Sequence, residues 1–111
     1  MDKKLIEKII KFRDDRNWSQ YHNSKDLAIS ISLEANELLE LFQWNSSEET
    51  VNKNLNEIKD ELADVLIYSI LLSDKLDIDI NQIVENKLDK NAKKYPVEKA
   101  YNSKEKYDEL K

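Results

Sequence analysis

The chain contains no cysteine and no glycine, and Pro96 is its only proline. Without cysteine there is neither a disulfide framework nor a thiolate metal site. Without glycine there is no glycine-rich phosphate loop, so any grip on phosphate must come from metals and side chains. Glycine and proline are the residues that break helices, and their scarcity over 111 residues favours an all-helical protein. No apolar run is long enough to span a bilayer, and the opening MDKKLIEKII lacks the apolar length of a secretory signal core. A cytoplasmic protein with no membrane partner is therefore expected. Positive charge is not in excess either. The 18 basic and 23 acidic residues leave a net charge of -5, which argues against a broad surface for a nucleic acid polymer.

What remains is a short, charged, helix-rich chain. At 111 residues it is expected to form one domain over residues 1–111, with 97–111 as a charged tail. A chain of this size buries roughly 60–70% of its unfolded surface, enough for a modest core that a subunit interface would enlarge. Leu5, Ile6, Ile9, Ile10 and Phe12 recur at helical spacing and predict a helix over 3–15. NWSQYHNSKD follows as a connector, with Ser24 the expected N-cap of a second helix over about 25–43. Ser46 or Ser47 is expected to start a third helix that reaches about Leu76, with a break near 51–54. DID then caps a fourth over about 80–94, which Pro96 ends; the tail reads as a short helix or a mobile segment. Four amphipathic helices with short connectors predict a four-helix-bundle-like, oligomeric fold.

The informative residues are acids in the wrong place. On a helical wheel centred on Glu34, Leu27, Leu38 and Leu41 fall within about 40°. Glu34 therefore occupies the middle of an apolar stripe, with Glu37 about 60° away at its edge and Glu40 further out toward solvent. In the third helix, Ile58, Val65, Tyr68, Leu72 and Leu76 lie within about 60° of Glu61, and Asp64 sits at the edge as Glu37 does. One E-x-x-E on a charged helix is ordinarily a solvated face. Two such pairs, each with an acid inside its stripe, are a different matter. Packed antiparallel, the helices would bring four carboxylates into a mostly apolar interior, where charge must be neutralised, paired or metal-bound. Oxygen-only ligands select hard ions, Mg²⁺ or Mn²⁺. A di-iron bundle needs Glu-x-x-His ligands. His22, the only histidine, lies outside both motifs.

The fourth helix carries polar residues on its inner stripe of Ile80, Ile83, Val84, Leu88 and Tyr95: Lys87 and Asn91 fall on or beside it, and Lys94 lies near its end. A snorkelling lysine and a backbone-bonded amide are one reading. Beside a metal cluster, the same groups suit polyphosphate oxygens. Trp18, Tyr21, His22, Trp44 and Tyr68 flank the acidic helices. Such residues ordinarily pack cores or interfaces, but Trp18 and Trp44 also suit stacking on a planar base. His22 reads as an ordinary surface histidine.

EANELLELFQW, DELADVLIY and KLDKNAKKYP together resemble the MazG-like all-α nucleotide pyrophosphohydrolases, and among them the single-domain dCTP pyrophosphatase branch. The similarity runs from RDDRNWSQYH through SKEKYDEL, and Q-W after the first acid pair with K-x-x-x-N-x-x-x-Y-P at the end makes it fairly specific. The resemblance implies packed helices assembled as a homodimer or homotetramer. It implies Mg²⁺-dependent hydrolysis of a nucleoside triphosphate, dCTP or a modified relative, to monophosphate and pyrophosphate, in nucleotide-pool cleaning. By position, it implies that Glu34, Glu37, Glu61 and Asp64 are the metal ligands and catalytic carboxylates. Lys87 and Asn91 correspond to residues near the phosphates, with Lys94 a further substrate-binding candidate by its place on the helix, Tyr68 to a pocket tyrosine, and Trp18 and Trp44 to aromatics lining the base pocket. The first helix departs from the pattern. Ile9 stands where some relatives carry a polar pocket residue, which leaves base and sugar preference open. The alternative is a non-catalytic helical nucleotide-binding or assembly module, whose acids would be partner contacts.

Overall fold

The computed structural model describes residues 1–110, and its regular elements are all helical. In chain order they are α1 (Lys3–Asp15), a 3-10 turn (Trp18–Tyr21), α2 (Ser24–Glu40), α3 (Ser47–Lys75), α4 (Ile80–Lys94) and the single-turn α5 (Val97–Ala100). The expected all-α class holds. The chain forms two compact units, one over Met1–Ile78 and one from Asp79 onward.

Local chemistry sets the helix boundaries. Four helices start on a polar cap whose side-chain oxygen accepts a backbone N–H: Asp2 for α1, Asn23 for α2, Ser46 for α3 and Asp79 for α4. Asn23, not Ser24, caps α2: its backbone is extended and its side chain accepts from the Asp26 N–H at 2.8 Å. α2 also ends before Gln43. Phe42 and Gln43 donate to Leu39 and Glu40, three residues back, so the last turn tightens and the helix stops at Glu40. α3 breaks at Asn54 (φ -121°, ψ 25°), inside the expected window.

With no glycine to close α3, Asp77 takes the left-handed conformation at φ 55°. The Ile78 N–H then bonds the Ser73 carbonyl at 2.8 Å and the Asp77 N–H bonds Asp74 at 3.1 Å, a Schellman closure built on an aspartate.

In the first unit, α2 and α1 both pack on α3. Thr50 Oγ1 donates to the Leu41 carbonyl near the connection, and Glu34 meets Glu61 further along, so α2 and α3 run antiparallel. Among the described residues the buried apolar ones are few: Leu27 from α2, with Ile70 and Leu71 from α3. Ile58, Val65, Tyr68 and Leu72 are half-buried as their stripe predicts, whereas Leu76 at the helix end is exposed. Ile70 and Leu71 lie outside that stripe, because α3 is covered on two sides.

In the second unit, Tyr95 and Tyr107 meet edge to face with centroids 6.2 Å apart, which pins the tail to the end of α4. The apolar stripe of α4 is open, with Ile83, Val84 and Leu88 all exposed.

Candidate metal centre and adjoining cavity

Glu34 projects from the middle of α2, and Glu61 and Asp64 from α3. Each offers a carboxylate oxygen, and these oxygens all lie within 4.8 Å of one another. All three residues are half-buried. Oε2 of Glu34 and Oε2 of Glu61 are shut away from solvent without any hydrogen-bond partner. Glu37, one turn beyond Glu34, is exposed, yet its carboxylate reaches both glutamates.

The cluster holds on to protons. Burial, then Glu37, then Glu61 and Asp64, push the Glu34 carboxyl up to about 7. The Glu61 carboxyl is raised first by the neighbouring Glu37 carboxyl and next by burial, with the charges of Glu37 and Asp64 adding to it. Glu34 itself acts the other way on Glu61 and lowers its pKa.

Buried acceptors without donors, crowded by like charge, lack positive charge and ligation together. A hard divalent cation supplies both, and the all-oxygen donor set suits Mg²⁺ or Mn²⁺. The residues therefore fit such an ion.

Asp64 also lines a cavity of about 370 Å³ between α1, the 3-10 turn and α3. Leu5, Ile9, Phe12, Ile67 and Leu71 form its apolar wall. Trp18, Tyr68, His22, Arg13 and Lys8 add aromatic and polar groups. Asn17 stands in the left-handed conformation at φ 53° and turns the chain out of α1 into the 3-10 turn that carries Trp18. The indole meets the Phe12 ring edge-on at 5.8 Å, and the Arg16 guanidinium covers the same ring at 3.7 Å.

Arg13 is buried and paired: Nε donates to Asp14 at 2.9 Å and Nη1 to Asp74 at 2.7 Å. The hydrogen bond with Asp14 is the largest influence raising its pKa. His22 differs. Its Nδ1 is buried and unpartnered. Burial first, then the positive charges of Arg13 and Lys75, lower its pKa, so the ring is held neutral.

The structure thus gathers Glu34, Glu61 and Asp64, sets Glu37 beside them, and lines the adjoining cavity with Trp18 and Tyr68. Trp44 is not in that cavity. It lies in the α2–α3 connection with 85% of its surface exposed. Lys87 and Asn91 are on α4 in the second unit, where they edge a shallow groove with Ile83, Val84 and Leu88. Lys94 sits with its ammonium 4.7 Å from the Tyr107 ring centroid. Arg13 and His22 also line the cavity, and nothing in the sequence marks them as cavity residues. Arg13 sits on a charged helix and His22 at the end of a 3-10 turn, so neither carries a periodic signal.

A sequence model of the MazG-like family matches residues 29–110. The mouse protein dCTP pyrophosphatase 1 is 36% identical over 104 residues, spanning 89% of this chain and 61% of the relative. Its human counterpart is 35% identical over 104 residues, with the same shares. The chain thus spans about three-fifths of the length of these relatives. A crystal structure of a pyrophosphatase from Archaeoglobus fulgidus superposes with a TM-score of 0.78 at 44% identity, covering 84% of this chain and 90% of that one. Identity at this level over most of the chain, together with the E-x-x-E and E-x-x-D acids meeting across α2 and α3, leads to one assignment: the chain belongs to the MazG-like family.

Proposed function

We propose that this chain is a nucleoside triphosphate pyrophosphohydrolase that converts dCTP, or a base-modified relative, to the monophosphate and pyrophosphate. Mg²⁺ is its cofactor, with Mn²⁺ as a substitute. Its role is cleaning the nucleotide pool in the cytoplasm. One observation carries the reading: three carboxylates from two helices converge with two buried, unpartnered oxygens beside a base-sized cavity. The likeness to dCTP pyrophosphatase 1 and to the archaeal pyrophosphatase supports the same reaction class.

In this reading Glu34, Glu37, Glu61 and Asp64 hold the cation. Bound there, it would polarise phosphate oxygens and make an attacking water more acidic. Glu37, the exposed member, orients that water and accepts its proton. The water oxygen bonds to the α-phosphorus, the bridging bond to the β-phosphate oxygen breaks, and pyrophosphate leaves. Trp18 and Tyr68 enclose the base, and Trp44 offers a further exposed ring. Lys87, Asn91 and Lys94, with two cations and an amide, suit the phosphate chain.

The assembly is a homodimer or homotetramer. Its support is the apolar surface left open: Leu33 and Leu39 on α2 and Val84 and Leu88 on α4 are each more than half exposed, while the buried apolar core of the described residues is three residues.

The test incubates the purified protein with each common dNTP and NTP, with Mg²⁺ or with EDTA, and resolves the products by chromatography. Monophosphate and pyrophosphate formed only with Mg²⁺ is the expected result. Diphosphate and phosphate would reject attack at the α-phosphorus. No product from any natural or base-modified nucleotide would reject the enzyme reading.

A further inference from the structure

We infer that Arg16 is a positioning residue for the base: its guanidinium, stacked on Phe12 and close to Trp18, fixes these two rings as the aromatic wall of the cavity beside Asp64. The inference rests on the proposed reading of that cavity as a nucleoside site, and it adds a residue that does not itself line the cavity.

Phe12 and Trp18 both line the cavity, yet the apolar core does not hold them. Phe12 is 51% exposed and Trp18 43%. They also come from different segments: Phe12 stands near the end of α1, and Trp18 opens a four-residue 3-10 turn. Such turns have poorer hydrogen-bond geometry than an α-helix. Rings placed this way keep rotamer freedom, which a base stacking on them would have to remove.

Arg16 restrains both. It follows Phe12 by four residues, one helical turn, which carries its side chain over the ring. The guanidinium carbon lies 3.7 Å from the Phe12 ring centroid and 5.8 Å from that of Trp18. Nη1 also donates to the Phe12 carbonyl at 2.9 Å, so the planar group is tethered as well as stacked. Asn17, in the left-handed conformation between Arg16 and Trp18, turns the chain so that the indole meets the same cluster. The carboxylates next to Arg16 in the chain are engaged elsewhere, Asp14 by Arg13 and Asp15 by Lys11. The Arg16 charge is thus left for the rings, whose faces attract a cation. Arg16 is exposed, and its hydrogen bond and ring contacts run to Phe12 and Trp18, not to α2 or α3. Removing it should therefore loosen the wall without unfolding the unit.

Two measurements test this. Arg16→Met keeps the length of the side chain and removes its charge and donors, while Arg16→Lys keeps a charge over the ring. The first measurement is steady-state kinetics with Mg²⁺ on the best of the four dNTPs. Arg16→Met is expected to raise KM about 3- to 10-fold, with kcat within about twofold and Tm unmoved. Arg16→Lys should recover part of the loss. A KM that does not move overturns the inference, whatever happens to kcat and Tm.

The second measurement needs no turnover. Each protein with Mg²⁺ is titrated calorimetrically with dCTP carrying a methylene bridge between the α- and β-phosphorus, and separately with a base-free deoxyribose triphosphate. Arg16→Met should weaken the first about 3- to 10-fold and leave the second within about twofold, because the wall meets the base alone. Equal weakening of both would place Arg16 on the phosphates and overturn the inference. Wild-type affinities in Arg16→Met, beside a wild type that turns nucleotide over, overturn the inference and leave the pyrophosphohydrolase reading standing. A loss confined to the base-bearing ligand, in a protein that hydrolyses nothing, supports the inference while rejecting that reading.

Discussion

α3 meets a neighbour on each side, and charge at the two seams is handled in opposite ways. Against α1, Arg13 is buried but satisfied, with Asp14 from its own helix and Asp74 from α3 both accepting from it. Against α2, Glu34 and Glu61 each keep a buried oxygen with no donor, and Asp64 adds a further negative group. The first seam is complete within the chain and joins two helices. The second leaves two buried oxygens unpaired within the chain. An interior charge is thus not by itself a sign of function; the informative feature is the missing partner.

The largest expected effect breaks the incomplete seam. Glu61→Gln should reduce turnover at least about 100-fold while leaving the helical circular dichroism spectrum intact. Full turnover in this variant would show that the metal centre is wrongly assigned. Next, Mg²⁺ at about 100 times its dissociation constant should stabilise the wild type by about 2.7 kcal/mol, read as a rise in Tm. Glu61→Gln should lose most of that rise, and an equal rise in both proteins would mean that the ion binds elsewhere.

The complete seam answers differently. Arg13→Leu should cost about 1–3 kcal/mol in urea unfolding, toward the lower end because the aspartates are partly exposed, and should leave the Mg²⁺ response in place. A lost Mg²⁺ response would mean that the two seams are coupled.

The smallest effect is a pH dependence. The folded state holds the Glu34 proton up to about 7, against an ordinary value of 4.5, so it binds more protons than the unfolded chain in between. Stability from this group is complete below 4.5 and is lost as pH rises through 7. In EDTA the wild type should therefore lose Tm across this range relative to Glu34→Gln. His22, whose lowered pKa acts in the opposite sense below 6.5, is common to both proteins and drops out of the difference. Parallel curves for the two would remove Glu34 as the titrating group.

Much of this molecule was legible along the chain. α1 lies over the predicted 3–15, because its apolar spacing and Asp2 cap are local signals. The break in α3 was equally accessible, whereas the tail after Pro96 was open between the short helix it forms and a mobile segment. The boundaries of α2 were less so. Asn23 and Ser24 are both good caps, and side-chain reach decides between them. The acid pairs were legible because a carboxylate inside an apolar stripe conflicts with its own helix, and that conflict is visible on a wheel.

Ile70 and Leu71 were not legible as core, since a wheel assumes one buried face and α3 has two. Nor did spacing separate Trp18 from Trp44. Both are tryptophans beside acidic helices, yet one lines a cavity that α1 and α3 create and the other stands exposed in a connection. The sequence by itself determined the helices and which acids face inward, because those follow from contacts a few residues apart. Only the tertiary structure decided that Arg13 is paired while Glu34, Glu61 and His22 are not, because a partner's presence or absence depends on helices brought together across tens of residues.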